Sequence, residues 1–156
     1  MGRVMKFFLD TASLEEIEKW KPYGIVNGVT TNPSLLSKEN CNALERLKQI
    51  TAIVEGPVTA QVTSTSHEKM ILQAKSLAKL ANNILIKLPA TSEGFLAAKE
   101  LVKNQISCNI TLTFDPAQAI QFCLLPVNYV SLILGRTEGF GIRDLNRVKQ
   151  LRDIID

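Results

Sequence analysis

Three short runs decide the fold: Val58-Thr59-Ala60-Gln61-Val62, Ile84-Leu85-Ile86-Lys87-Leu88 and Ser107-Cys108-Asn109-Ile110-Thr111-Leu112-Thr113. Each run has the length and composition of a β-strand. The segments between them, residues 66–81 and 92–104, place apolar side chains at helical spacing. Strands that are separated by helices run parallel, with right-handed crossovers. This stretch therefore predicts consecutive β/α units.

The same alternation extends to both sides of that stretch. Further strands are predicted over residues 4–9, 28–31 and 129–134. Further helices are predicted to begin at residues 13 and 115, helical stretches follow the second strand up to about residue 54, and a last helix covers about residues 142–155. Helix starts are marked by Asn32-Pro33 and Asp115-Pro116, and by possible capping boxes at Ser13 with Glu16 and Thr65 with Glu68. The pattern predicts six β/α units.

Six parallel strands form either a barrel or a doubly wound open sheet, and strand order decides between them. No G-x-G-x-x-G follows the first strand, and Asp10-Thr11-Ala12-Ser13 is poorly suited to hold a diphosphate. A phosphate-binding open α/β module is therefore the weakest alternative. We predict a TIM (β/α)8-type barrel, with catalytic groups at the carboxyl ends of its strands.

The length sets a limit on that barrel. A complete eight-unit barrel needs at least about 200 residues, whereas this chain has 156. We expect one domain over residues 1–156, truncated after about six units and incomplete at its C-terminus. Such an arc leaves its first and last strands with unpaired edges, so we expect a homo-oligomer or another chain to cover them.

Composition excludes several classes of protein. The chain is 46% hydrophobic and 21% charged, as in ordinary globular domains. Its 18 basic and 15 acidic residues are dispersed, which argues against nucleic acid and only weakly favours a phosphorylated substrate. No apolar stretch approaches the roughly 20 residues that span a bilayer, and no signal-peptide pattern is present. We expect no membrane association and a cytoplasmic location.

The cysteines and the histidine do not form a recognisable site. Cys41, Cys108 and Cys123 are odd in number and far apart, so we expect reduced, mostly buried thiols. His67 is the only histidine, which argues against a multi-histidine metal site and a Ser-His-Asp triad. We expect it on the surface, in the first turn of a helix.

Lys87 interrupts an otherwise apolar strand. Burial among Ile and Leu side chains would disfavour its charged form and lower its pKa, leaving the neutral amine that attacks a carbonyl. On this strand alone, an exposed lysine at a strand end is an equally good explanation.

Polar residues at the ends of the other strands favour the functional interpretation. Residues two apart in a strand face the same way, so Thr59 with Gln61, Asn109 with Thr111, and Leu85 with Lys87 can each face inward. Helix capping or ordinary strand packing explains each of them singly. Together they predict a site at one mouth of a barrel, formed by Lys87 with Asp10, Thr30, Asn32, Gln61, Asn109, Thr111 and Ser131.

Four motifs resemble those of the small transaldolase and fructose-6-phosphate aldolase family: Phe7-Phe8-Leu9-Asp10-Thr11-Ala12, Gly28-Val29-Thr30-Thr31-Asn32-Pro33-Ser34, Ile86-Lys87-Leu88-Pro89 and Asn109-Ile110-Thr111-Leu112. The resemblance runs nearly end to end. It implies a Schiff base on Lys87, sugar-phosphate substrates, and no metal or cofactor. A transaldolase would transfer a dihydroxyacetone unit from a ketose phosphate to an aldose phosphate.

The resemblance also assigns roles to the surrounding residues. It implies proton transfer by Asp10, a catalytic water on Thr111 and a phosphate contact for Arg136, which follows the sixth strand. Hydrogen bonds to the bound ketose are implied for Asn32, Asn109 and Ser131.

Two positions leave the branch of the family open. Transaldolases have a glutamate that works with the water where this chain has Gln61. The aldolases also have glutamine there, but they carry a tyrosine on the sixth strand where this chain has Ile133. We therefore expect a transaldolase-like enzyme, with two alternatives: a fructose-6-phosphate aldolase that forms dihydroxyacetone and glyceraldehyde 3-phosphate, or a non-catalytic remnant or assembly subunit.

Overall fold

A computed structural model of the chain describes residues 5–135 and 145–155. Its six strands form one parallel sheet whose spatial order follows the sequence: β1 (Phe7–Asp10), β2 (Val26–Thr30), β3 (Val58–Gln61), β4 (Ile84–Pro89), β5 (Cys108–Thr113) and β6 (Tyr129–Leu132). A doubly wound sheet would reverse its strand order at a switch point. The uninterrupted order confirms the prediction of a TIM-type β/α-barrel fold, of which the six described strands form an arc.

Helices alternate with these strands, as the sequence predicts. They are α1 (Leu14–Trp20), α2 (Pro33–Leu36), α3 (Ala43–Ile53), α4 (His67–Ala78), α5 (Ser92–Lys103), α6 (Ile120–Cys123) and α7 (Asn146–Ile155), with 3-10 turns at Lys21–Tyr23, Ser37–Glu39 and Pro116–Ala119. Within the described part of the chain, no helix is long and apolar enough to cross a membrane.

Local side-chain caps begin several helices. The side chains of Ser13, Asn32 and Asp115 accept backbone N–H groups, and Asp115 forms a capping box with Gln118. The predicted cap at Thr65 is wrong, because the residue before α4 is Ser66. The first N–H group of α4, that of His67, donates instead to the carboxylate of Glu93 at 2.7 Å.

The sheet curls strongly. Phe8 in β1 and Tyr129 in β6 make an edge-to-face contact with their ring centroids 5.5 Å apart. Strands lie about 4.8 Å apart, so in a flat sheet five intervals would separate β1 from β6 by roughly 24 Å. Side chains from the first and last strands therefore meet across the concave face.

The two faces of the sheet have different contents. On the convex face, Ile84, Ile86 and Leu88 of β4 belong to a buried core that they form with side chains of the helices. The alternate residues Leu85 and Lys87 line cavities on the concave side, Leu85 at the amino end and Lys87 at the carboxyl end. The period of two thus gives β4 an apolar helix-facing side and a functional inner side.

Asparagine side chains form hydrogen bonds to backbone groups near the amino ends of the strands. Asn27 Oδ1 accepts the N–H of Phe7 at 2.8 Å, and Asn128 Oδ1 accepts the N–H of Cys108 at 2.9 Å. Asn83 Nδ2 donates to the carbonyls of Val54 and Gly56 at 2.7 and 3.1 Å. These bonds satisfy backbone groups at the starts of β1 and β5 and just after the end of α3.

Replacing Asn83 with Ala removes the donor from these carbonyls and should lower the free energy of unfolding by about 1–2 kcal/mol. Urea denaturation of both proteins measures the difference. Asn82→Ala is the matched control, because Asn82 is the exposed neighbour. Equal losses in the two variants would contradict the role of the Asn83 amide.

Candidate active site

The carboxyl ends of the strands surround a cavity of about 680 Å³. Eight predicted site residues line it: Asp10, Thr30, Asn32, Gln61, Lys87, Asn109, Thr111 and Ser131. The ninth, Arg136, lies outside the residues that the structure describes. The cavity lies where barrel enzymes carry their catalytic groups.

Lys87 occupies the centre of this arrangement. It is 8% exposed, and its Nζ atom donates to the carbonyl oxygen of Thr31 at 3.2 Å. Gln61 and Asn109 are its register partners on the two neighbouring strands. The alternative of an exposed lysine at a strand end is therefore wrong, and the amine lies among inward-facing polar groups.

The polar groups around Lys87 are held by hydrogen bonds to one another. The Thr30 hydroxyl donates to Asp10 Oδ1 at 2.7 Å, which orients an otherwise exposed carboxylate. On the opposite side of the arc, the Ser131 hydroxyl donates to Asn109 Oδ1 at 2.9 Å. These pairs restrict the side chains before any substrate binds.

Asn32 is the N-cap residue of α2 and also lines the cavity. Its Oδ1 accepts the N–H of Leu35 at 3.0 Å and so begins α2. Because that oxygen is oriented by the helix, the amide nitrogen with its two N–H donors is the group that we expect Asn32 to offer to a ligand. The capping and binding interpretations of Asn32 are therefore compatible.

The end of β5 contains an irregularity that changes which side chains reach the cavity. Leu112 has a φ of 58°, and the register with β6 shifts between Ile110 and Thr113. Strict alternation would place only one of Thr111 and Leu112 on the inner side. Because of the shift, both line the cavity.

Several residues of this region were not predicted from the sequence. Leu112 carries no sequence signal, because a leucine in a strand is normally assigned to the core. Thr31 was also missed: it is fully buried and is hydrogen-bonded to Thr59, whose inward-facing position the sequence did predict. The adjacent threonines of Thr30-Thr31-Asn32-Pro33 are the signal that could have indicated Thr31.

His67 lies outside the cavity and links the starts of α4 and α5. Its Nδ1 atom is 2.7 Å from Glu93 Oε2, and its Nε2 atom is 3.2 Å from Glu68 Oε1. The prediction of a first-turn position is confirmed, although the side chain is 32% exposed and fully engaged. Hydrogen bonding to His67, first through its backbone N–H, lowers the pKa of Glu93 from 4.5.

The cysteines differ in exposure. Burial raises the pKa of the Cys108 thiol to about 12, and burial also raises the pKa of Cys123. The Cys108 thiol therefore remains protonated at neutral pH. Cys41 is exposed, so the expectation of buried thiols is wrong at that position.

Comparisons with known proteins agree with this geometry. The sequence profile of the Transaldolase/Fructose-6-phosphate aldolase family matches residues 7–155. The chain is similar to proteins named "Probable transaldolase" from Citrifermentans bemidjiense (44% identity), Geobacillus sp. strain WCH70 (46%) and Bacillus cereus (42%). The matches cover 96–97% of this chain and 70–71% of those proteins.

The fold and the site define an aldolase-type enzyme built on a β/α-barrel. The chain belongs to the Transaldolase/Fructose-6-phosphate aldolase family. The resemblance of the four sequence motifs is thereby confirmed. The roles of the individual cavity residues stay predictions.

The Glu93 carboxylate should make stability depend on pH. Because the folded-state pKa of Glu93 lies below 4.5, its ionised form stabilises the fold above that value, and this contribution is lost as the pH falls through the lowered pKa. Glu93→Gln should therefore lower the melting temperature near neutral pH, with a difference that shrinks towards pH 3.

Thermal unfolding at several pH values between about 3 and 7 measures this difference. Glu18→Gln, at an exposed position of α1, is the control for removing one negative charge. A Glu93→Gln difference that is constant across the range would contradict the assignment.

Proposed function

We propose that the chain transfers a dihydroxyacetone unit between sugar phosphates through a Schiff base on Lys87. The burial of this lysine at the mouth of the barrel, with Nζ facing the Thr31 carbonyl, is the observation that carries the proposal. A buried amine loses hydration, which favours its neutral, nucleophilic form. The family supplies the reaction class, and the cavity supplies room for a ligand.

In the first stage, the Lys87 amine attacks the C2 carbonyl carbon of the donor ketose phosphate. The hydroxyl of the resulting carbinolamine takes up one proton from solvent and leaves as a water molecule, which forms the positively charged iminium ion. Thr111 is 3% exposed and lines the cavity, so its hydroxyl is suited to hold this water. The positive iminium nitrogen is the electron sink for the next step.

In the second stage, the Asp10 carboxylate accepts the proton of the C4 hydroxyl. The C3–C4 bond breaks, its electron pair moves towards the iminium nitrogen, and the aldose phosphate leaves with a new carbonyl at C4. An enamine remains on Lys87. The hydrogen bond from Thr30 directs the carboxylate that performs this proton transfer.

The fate of the enamine separates the two candidate activities. In transfer, its carbon attacks the aldehyde of an acceptor sugar phosphate, and water then releases the product. In cleavage, the carbon is protonated and hydrolysis releases dihydroxyacetone. Asn32, Asn109 and Ser131 line the cavity with groups that can hold the ketose hydroxyls in either case.

Fructose-6-phosphate cleavage is the second candidate, and Gln61 favours it. Gln61 neighbours Lys87 in register but cannot accept a proton as a base. Ile133, which lines the same cavity, has no proton to donate. In either activity, we assign the substrate phosphate to Arg136, which follows the sixth strand in sequence.

Trapping the imine tests the shared first stage. The chain is incubated with fructose 6-phosphate and borohydride, and peptide masses locate the adduct. We expect the adduct on Lys87, and Lys87→Met should lose both adduct and turnover, because its side chain has similar length but no amine. Lys99→Met, at an exposed position of α5, should retain both.

An adduct on another lysine, or turnover by Lys87→Met, would contradict the Schiff-base assignment. If the wild-type chain is folded and soluble but gives neither adduct nor turnover, the alternative of a non-catalytic assembly subunit is favoured.

Replacing Gln61 with Glu tests which branch this position favours. A carboxylate beside Lys87 can act on the catalytic water, so the ratio of transfer to cleavage should increase. Parallel assays of sugar-phosphate transfer and free dihydroxyacetone measure the ratio. Gln61→Met, which has similar size and no proton acceptor, is the control. An unchanged ratio in Gln61→Glu would argue against the role of this position.

A further inference from the structure

Thr31 and Thr59 form a reciprocal pair of side-chain-to-backbone hydrogen bonds. The Thr31 hydroxyl donates to the Thr59 carbonyl at 2.6 Å, and the Thr31 N–H donates to Thr59 Oγ1 at 2.8 Å. The Thr59 hydroxyl in turn donates to the Thr31 carbonyl at 3.3 Å. Both residues have 0% exposure. A single hydroxyl, that of Thr59, thus engages both backbone groups of Thr31.

This pair compensates for a short strand ladder. β2 and β3 share one register pair, Val29 with Val58, whereas β3 and β4 share four. On the carboxyl side of Val29, the hydrogen bonds between Thr31 and Thr59 join β2 to β3, where the other strand pairs use backbone hydrogen bonds. The Thr59 hydroxyl therefore bonds to both the N–H and the carbonyl of Thr31, while the Thr30 carbonyl accepts the backbone N–H of Thr11 at 3.1 Å.

The Thr31 carbonyl is also the acceptor of the Lys87 amine, at 3.2 Å. A carbonyl oxygen has two lone pairs, which matches one bond from Lys87 and one from Thr59. We propose that Thr59 is a positioning residue for Lys87, acting through the Thr31 carbonyl. This inference rests on the proposed function, in which Lys87 is the nucleophile.

The arrangement suits the chemistry of an imine. The free amine donates one N–H to the Thr31 carbonyl while its lone pair attacks the substrate. After water is lost, the iminium nitrogen keeps one N–H and gains a positive charge, so its bond to the same carbonyl becomes stronger. A carbonyl held in place beforehand needs no reorganisation when this charge develops.

The test compares the rate of borohydride trapping at Lys87 in the wild type and in Thr59→Val, which has nearly the same shape without the hydroxyl. We expect Thr59→Val to trap fructose 6-phosphate about tenfold more slowly or worse, with a lower kcat at nearly unchanged KM. Thr59→Ser keeps the hydroxyl and should recover most of the rate.

Thr113→Val is the matched control for removing a buried strand hydroxyl. Thr113 is also fully buried, and its Oγ1 has no hydrogen-bond partner among the residues that the structure describes. This variant should trap at the wild-type rate. If Thr59→Val does not fold, Thr59→Cys replaces it, because a thiol is a weaker hydrogen-bonding group of similar size.

A second readout separates this inference from the proposed function. The acylation rate of Lys87 by acetic anhydride, followed across pH by peptide mass, needs no turnover. We expect the pH dependence of the Lys87 acylation rate to differ from that of the wild type in Thr59→Val and to match it again in Thr59→Ser. If the wild type forms no adduct, the proposed function fails, and the acylation profiles alone decide whether Thr59 positions the amine.

The inference is overturned if Thr59→Val folds and keeps the wild-type trapping rate and acylation profile. It is also overturned if Thr59→Ser loses as much as Thr59→Val, because a hydroxyl at this position would then not be enough to restore the rate.

Discussion

The hydrogen bond from Lys87 Nζ to the Thr31 carbonyl joins two segments that are not neighbours in the sheet, because β3 lies between them. Such a bond forms only on a concave face, where alternate strands approach one another. The Phe8–Tyr129 contact spans the whole arc in the same way. Curvature therefore brings an inward-facing lysine into a water-poor site and gives it a backbone partner. The cavity and its chemistry depend on this constraint.

Several of the remaining polar side chains on the inner face are hydrogen-bonded before substrate binds. Thr30 orients Asp10, Ser131 engages Asn109, and the helix cap fixes one end of Asn32. These bonds lower the conformational freedom that binding would otherwise remove. They also determine which atoms remain to contact a ligand. The strands and helix caps that form the barrel therefore also orient the side chains at the carboxyl ends of its strands.

Family membership defines the reaction class, while two positions bear on the branch within it. Gln61 is in register with Lys87, and Ile133 lines the same cavity. Neither side chain titrates, so the proposed mechanism assigns proton transfer to Asp10 and the catalytic water to Thr111. Under that proposal, the ratio of transfer to cleavage would depend on the lifetime of the enamine and on its access to water.

The sequence by itself determined the β/α alternation, the parallel strands and the inner parity of Gln61, Lys87 and Asn109, because the period of two and the helix caps are local properties. It also indicated most of the cavity residues, since barrel sites gather at strand ends. Strand order, the curl, the burial of Lys87, the Thr31–Thr59 pair and the shift at Leu112 were decided only by tertiary structure. Each of these depends on contacts between residues distant in the chain, which no local pattern encodes. For the same reason, the N–H of His67 is bonded to Glu93, on the next helix, rather than to the predicted cap at Thr65.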